Sequence, residues 1–217
     1  MNKPTLQSST LIASAAKPLP VIFLLDVSSS MGGCIQSLNN AVREIFAALA
    51  REEKKGTEFL VSIITFGMGA RVQLPPTNAR NVKWRDFRAD GGTPLGSALV
   101  VAKQLIEDQG QIPSRAWRPT VVLVSDGQPT DQWEDALADF VTLGRSSKCD
   151  RIAMAIGPYA DMGMLRMFIE GTGHELFQAD QAERILEFFK RVTTSIVSRS
   201  QSQNPNLVGP ESKILLH

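Results

Sequence analysis

Short, wholly apolar runs alternate along the chain with longer segments in which apolar residues recur every three or four positions. The runs at about Pro20–Asp26, Phe59–Phe66, Thr120–Ser125 and Asp150–Ile156 are too short for helices. They are rich in β-branched and aromatic residues, as strands buried on both faces are. Between them, Ile35, Leu38, Val42, Ile45, Phe46 and Leu49 form one helical stripe, and Leu95, Ala98, Leu99, Ala102, Leu105 and Ile106 a second. Ala136, Leu137, Phe140 and Val141 mark a third helix over about 132–143. Met164, Leu165, Met167 and Phe168 mark a short fourth, and Ala182, Ile185, Leu186, Phe189, Val192 and Ile196 a fifth. Two weaker strands complete the pattern: Arg71–Leu74, returning antiparallel after Gly67–Ala70 and ended by Pro75-Pro76, and Glu175–Gln178, opened by His174. Residues 77–92 lack periodicity and read as loop or short helix. Alternating strands and helices predict an α/β fold: a doubly wound, mostly parallel six-stranded sheet with one antiparallel edge strand and helices on both faces.

Composition bounds this picture. A chain of 217 residues can bury one sizeable core. The expected organisation is one domain over 19–198, between a flexible leader at 1–18 and a flexible polar tail at 199–217. Lys54-Lys55-Gly56 closes the first helix with cations and a glycine. The formal net charge is +1 with 21% charged residues and no basic or acidic block, which points to neither nucleic acid nor an anionic membrane as partner. Cys34 and Cys149 have no metal-ligand spacing, and a chain with so few cysteines suits a reducing, cytoplasmic setting. The would-be apolar region that ends in Leu11–Ala16 is interrupted by Gln7, Ser8, Ser9 and Thr10 and is too polar for a signal peptide, and no run is long enough for a membrane helix.

In open α/β sheets ligands gather beyond the carboxyl ends of the strands. The first strand, Val21-Ile22-Phe23-Leu24-Leu25, ends in Asp26 and is followed by Ser28 and Ser30 at alternate positions. Alternation in an extended segment aims the three side chains to one side. Read from these residues alone, the trio is either an oxygen site for a hard cation such as Mg²⁺ or a helix N-cap before Ile35.

Asp-x-Ser-x-Ser after an apolar strand resembles the metal-ion-dependent adhesion site of von Willebrand factor A domains. That family adds a threonine from a later loop and an aspartate after a central strand, and Thr93 (in Gly91-Gly92-Thr93-Pro94-Leu95) and Asp126 (in Val124-Ser125-Asp126-Gly127) match them. The resemblance covers about residues 20–198. It implies a Rossmann-like fold whose strand order makes the Asp26 and Asp126 strands neighbours. It also implies a site of Asp26, Ser28, Ser30, Thr93 and Asp126 holding Mg²⁺, with Mn²⁺ or Ca²⁺ as alternatives, and a protein partner that presents an Asp or Glu to the ion. Met31, Trp84, Phe87, Pro129, Trp133 and Tyr159, in or beside the expected site loops, are the candidate rim residues that would select that partner. Within the superfamily, Leu19–Gly33, Ser62-Ile63-Ile64-Thr65-Phe66 and Ser125–Asp131 resemble tellurium-resistance TerY-type proteins of bacteria. Those are associated with phosphatase and kinase-like partners in stress-response or phage-defence systems. An adaptor for an AAA+ ATPase is the second reading, and a metal-dependent hydrolase a distant third. His174 and His217 lie far from every site loop in sequence, no base stands near Ser28 or Ser30 in sequence, and there is no phosphate-binding loop motif, so the expected role is not enzymatic.

Overall fold

The computed structural model describes residues 17–53 and 56–206. The leader, Lys54-Lys55, the last eleven residues and with them His217 lie outside the described residues. Strand β1 (Leu19–Asp26) is buried along its whole length. It pairs in parallel with β2 (Phe59–Gly67) on one side and β4 (Thr120–Ser125) on the other. With β3 (Gly69–Asn78), β5 (Asp150–Ile156) and β6 (Phe177–Ala179), the sheet reads β3-β2-β1-β4-β5-β6, antiparallel only between β2 and β3.

Side chains alternate across β1 and build two cores. Val21, Phe23 and Leu25 pack toward α1 (Ile35–Glu53) and α5 (Ala182–Gln201). Ile22 and Leu24 pack toward α2 (Leu95–Glu107), α3 (Glu134–Thr142) and α4 (Met162–Ile169). Phe23 ties the first core together, its ring edge-on to Phe46 at 5.6 Å and stacked on Phe189 at 6.1 Å.

Three boundaries differ from the sequence expectation. Strand β3 does not stop at Leu74. Pro75 and Pro76 together oppose the single residue Ser62 in a bulge, and pairing resumes at Thr77. Proline is tolerated there because an edge strand needs no donor on its open side. Ser62, facing that bulge, keeps a buried hydroxyl that finds no partner. The last strand begins two residues later than expected; His174 lies in the loop before it, with Nε2 2.7 Å from Asp150 Oδ1.

The third difference is larger. The chain does not become a free tail at residue 199. Helix α5 runs to Gln201, and Arg199 is buried. Its guanidinium donates to Thr120 Oγ1 at 2.6 Å, to the Pro205 carbonyl at 2.6 Å and to the Arg118 carbonyl, with Asp150 Oδ2 3.7 Å away. Asn206 Oδ1 then accepts the Arg118 amide at 2.7 Å. Residues 199–206 thus cover the amino ends of β4 and β5. Polar residues there look like a linker in sequence because their partners are distant carbonyls. A chain ending at Ser198 removes the cation facing buried Asp150. It is expected to lose about 3 kcal/mol, or roughly 6–12 °C in melting temperature, relative to a chain ending at Asn206. Calorimetry of the two chains checks this.

Candidate metal centre

The sheet order places the site. From β1 the chain runs outward through β2 and β3, and from β4 it runs outward the other way through β5 and β6. The β1/β4 seam is therefore the point where strand order reverses, and loops leaving it part to opposite sides and open a crevice. Asp26 ends β1 and Asp126 follows the end of β4. Leu25 pairs with Val124, so Asp26 faces Ser125 across the seam.

All five sequence-predicted oxygen ligands come together there. Asp26 Oδ1 accepts the Ser28 amide at 2.8 Å, and Oδ2 accepts the Ser125 hydroxyl at 2.6 Å. The Ser28 and Ser30 hydroxyls are 2.9 Å apart; Ser30 donates to Asp126 Oδ1 at 2.8 Å, and Ser28 lies 3.5 Å from the same oxygen. The helix-cap alternative fails, because Ser28, which precedes the single helical turn Ser29–Gly33, makes no capping bond. Thr93 enters from the third loop: a Cβ added at Gly127 would lie 3.4 Å from Thr93 Oγ1 and 3.9 Å from Ser30 Oγ. Glycine at 127 therefore keeps open the space between these hydroxyls.

Backbone bonds hold the three loops in register. The Val27 carbonyl accepts the Asp90 amide at 2.7 Å, and the Gly91 carbonyl accepts the Ser29 amide at 3.0 Å. Gly91 has φ +82°, and a Cβ there would sit 2.5 Å from the Gly67 carbonyl carbon, so only glycine fits. Thr130 fixes Thr93 from both sides: its amide donates to the Thr93 carbonyl at 2.9 Å, and its Oγ1 accepts the Thr93 amide at 2.9 Å. Asp131 accepts the amides of Gly96 and Ser97, both at 2.9 Å, which anchors the start of α2 behind Thr93.

Electrostatics single the site out. Burial pushes the Asp26 carboxyl up to about 6, against the opposing bonds from Ser125 and Ser28, and the neighbouring Asp126 adds to the rise. Asp126 is raised too, again chiefly by burial. Among the described residues neither carboxylate has an ion-pair partner. Two carboxylates and three hydroxyls, with no nitrogen or sulfur donor, suit a hard, oxygen-seeking cation of the Mg²⁺ type. Among the described residues no group of three or more His, Cys, Asp or Glu assembles anywhere, so no softer chelating set competes.

The six candidate rim residues divide. Met31 is fully buried in the core on the α1 side and presents nothing to a partner. Phe87 is buried, and Trp84 packs edge-on against Phe46 at 5.9 Å and Phe87 at 5.1 Å. Phe46 lies eleven residues into α1, about 16 Å along the helix, so Trp84 belongs to the flank of the domain and not to the site mouth. Trp133 packs against the core on the α2 side. Tyr159 is 80% exposed, and its carbonyl accepts Gln128 Nε2 at 3.2 Å, which sets it beside the Asp126 loop together with half-buried Pro129. Sequence reading overlooked Ser125 and Thr130. The register of β1 against β4 is the signal for Ser125; Thr130 acts through a contact across loops that leaves no local pattern.

Residues 21–128 match the profile of the von Willebrand factor type A domain family. Among curated proteins, inter-alpha-trypsin inhibitor heavy chain H6 of Homo sapiens is 26% identical over 164 residues, which is 70% of this chain and 12% of the relative. The chain spans between 12% and 22% of the length of the curated relatives it matches. Among solved structures, a von Willebrand factor type A protein from Catenulispora acidiphila superposes with a TM-score of 0.62 at 20% identity, covering 83% of this chain and 42% of the other. Proximal thread matrix protein 1 from the mussel byssus, solved with a zinc-occupied metal-ion-dependent adhesion site, gives 0.61 at 14% identity, covering 85% of this chain and 48% of the other. The six-stranded sheet and its flanking helices are the fold of that family.

A cation and a proton compete for Asp26. Its carboxyl titrates near 6 in the metal-free fold and near 3.8 when free. The stability this group contributes is therefore present below about pH 4 and lost as pH rises through 6. Cation binding needs the carboxylate and runs the other way. Mg²⁺ at about a hundred times its Kd is expected to add about 2.7 kcal/mol near pH 7.5, and the gain should shrink steadily below pH 6. Asp26→Asn should abolish that gain while leaving the metal-free protein at least as stable as wild type near neutrality. Melting curves across pH, with Mg²⁺ and with chelator, check both.

Proposed function

We propose that this chain, whose residues 21–128 match the von Willebrand factor type A domain profile, is a metal-dependent protein-interaction module. On this reading it receives a partner's Asp or Glu at the Asp26–Ser28–Ser30–Thr93–Asp126 centre. The observation that carries the proposal is the convergence of five side-chain oxygens from three loops around buried Asp26 and half-buried Asp126, which among the described residues have no cation of their own. When bound, a Mg²⁺ ion supplies a positive charge with a replaceable water, so a carboxylate can be taken up reversibly. The chain's own part is to hold the oxygens. Ser125 and the Ser28 amide orient Asp26, Ser30 orients Asp126, and Thr130 clamps Thr93.

Binding is favoured over catalysis by what surrounds the serines. Ser28 and Ser30 engage each other and a carboxylate, and among the described residues no histidine or lysine is bonded to either. His174 is paired with Asp150, whose strand begins at the opposite end of the sheet. For the cellular setting we carry forward a cytoplasmic, tellurium-resistance-like stress or defence system with phosphatase or kinase-like partners, supported by the quoted sequence segments. The AAA+ adaptor is the second reading. Among the described residues no helix is long and apolar enough to cross a membrane.

Thr93 has a buried hydroxyl at the centre, and its backbone bonds survive loss of that hydroxyl. Thr93→Ala is expected to keep its melting temperature within about 2 °C of wild type without Mg²⁺ and to lose the proteins that wild type captures in Mg²⁺. Addition of chelator to wild type should release the same proteins. Capture that persists both in chelator and with Thr93→Ala would show that recognition runs through another surface.

A further inference from the structure

After β3 and a single 3-10 turn at Ala79–Asn81, the chain runs from Val82 to α2 without regular structure up the flank of the domain, and its side chains divide sharply. Val82, Trp84 and Ala89 pack against the core, and Phe87 is buried in it. Lys83, Arg85 and Arg88 point to solvent, and among the described residues none of the three takes part in an ion pair or hydrogen bond. Over residues 80–88 there are four basic residues and one acid, a local excess of +3 in a chain whose total is +1. The one acid is already engaged: Asp86 Oδ1 accepts Arg43 at 2.6 Å and the Trp84 indole at 2.5 Å. The fourth base, Arg80, lies only 3.8 Å from buried Glu53 yet stays 62% exposed. Asp90, also exposed, closes the strip at its upper end.

The strip is held in place. Asn39 bonds the Phe87 backbone twice, Nδ2 to the carbonyl at 3.0 Å and Oδ1 from the amide at 2.8 Å. Two residues beyond Arg88, the Asp90 amide bonds Val27, and Gly91 bonds Ser29, within the metal loop itself. The cations therefore form a fixed track that ends at the metal centre.

We propose that Lys83, Arg85 and Arg88 are the second half of the partner site, and that the partner is an extended acidic polypeptide segment. One of its carboxylates reaches the metal centre and the next ones run down the flank. The proposal rests on the metal-centre reading above and adds the class of partner. Alternate acids of an extended segment repeat every 6.6–6.8 Å or so, and Lys83 and Arg85 likewise alternate with the inward-packed Trp84 between them. Single-stranded nucleic acid is a poorer match, because it also needs exposed aromatic faces for stacking, and Trp84 and Phe87 are turned inward.

The test uses the full chain and fluorescence anisotropy with three probes: hexaglutamate, a Ser/Gly peptide bearing one glutamate, and oligothymidine of the same charge as hexaglutamate. In Mg²⁺, hexaglutamate is expected to bind wild type about tenfold more tightly than the single-glutamate peptide. The triple variant Lys83→Glu/Arg85→Glu/Arg88→Glu should lose that advantage and bind the single-glutamate peptide as wild type does. Because the three side chains are exposed and make no ion pair or hydrogen bond among the described residues, its melting temperature should match wild type; Lys83→Gln/Arg85→Gln/Arg88→Gln, without new charge, should show the same loss in milder form. Unchanged hexaglutamate binding in both variants, or tighter binding of oligothymidine than of hexaglutamate, would overturn the proposal. Chelator separates the two readings. If both peptides ignore chelator while charge reversal still weakens hexaglutamate, the metal-centre reading falls and the cationic track stands.

Discussion

A buried carboxylate, Asp26, and a half-buried one, Asp126, at the ends of adjacent buried strands are the constraint from which the site follows. Asp126 adds to the cost of charging Asp26, and among the described residues neither has an internal cation to offset it. Desolvating a charge is tolerable only with hydrogen bonds or an opposite charge close by. Donors come from the next strand (Ser125) and from the loop after β1 (the Ser28 amide and Ser30). That need explains why the loop after β1 turns back on its own strand and why the Thr93 loop is stitched to both neighbours. Glycine at 91 follows from the same close approach of the loops, since a Cβ there would collide with the Gly67 backbone.

The opposite end of the sheet shows the alternative solution. Asp150 opens β5 and is buried, but His174 Nε2 lies 2.7 Å away and the Arg199 guanidinium 3.7 Å away. There the fold supplies its own counter-charge and uses it to fasten the end of α5. At the carboxyl end it supplies only neutral donors. The difference between the two ends marks Asp26 and Asp126 as a place for an external cation, since a purely structural pair could have been closed internally as Asp150 is. It also places the cost of function at one pole and the fastening of the domain at the other.

Much of this was legible before any coordinates. β1, β2, β4 and β5 are continuous apolar runs, and the helices carry clean three- and four-residue stripes, because burial on both faces and on one face leave different periods. Asp26, Ser28 and Ser30 stood out through their alternate spacing at a strand end, and Thr93 and Asp126 through the resemblance of their motifs to those of von Willebrand factor A domains. Other features were opaque for a common physical reason: they depend on contacts between segments far apart in sequence. Arg199 reads as part of a polar tail until Thr120, Arg118 and Pro205 are seen around it. Met31 and Trp84 read as loop residues near the site, yet the chain turns both inward. The three cations of the 82–88 segment form no block in sequence because the inward residues interleave with them.

The central claim is that a divalent cation sits among Asp26, Ser28, Ser30, Thr93 and Asp126. Paramagnetic broadening by Mn²⁺ in an NMR titration of the isotope-labelled protein tests it most directly, since the effect falls steeply with distance from the ion. The account predicts that the amides of Ser28, Ser30, Thr93 and Gly127 vanish first and together, while those of Asp150, His174 and Arg199 persist. Broadening centred on that opposite pole, or spread evenly over exposed acids with the three loops unaffected, would contradict it.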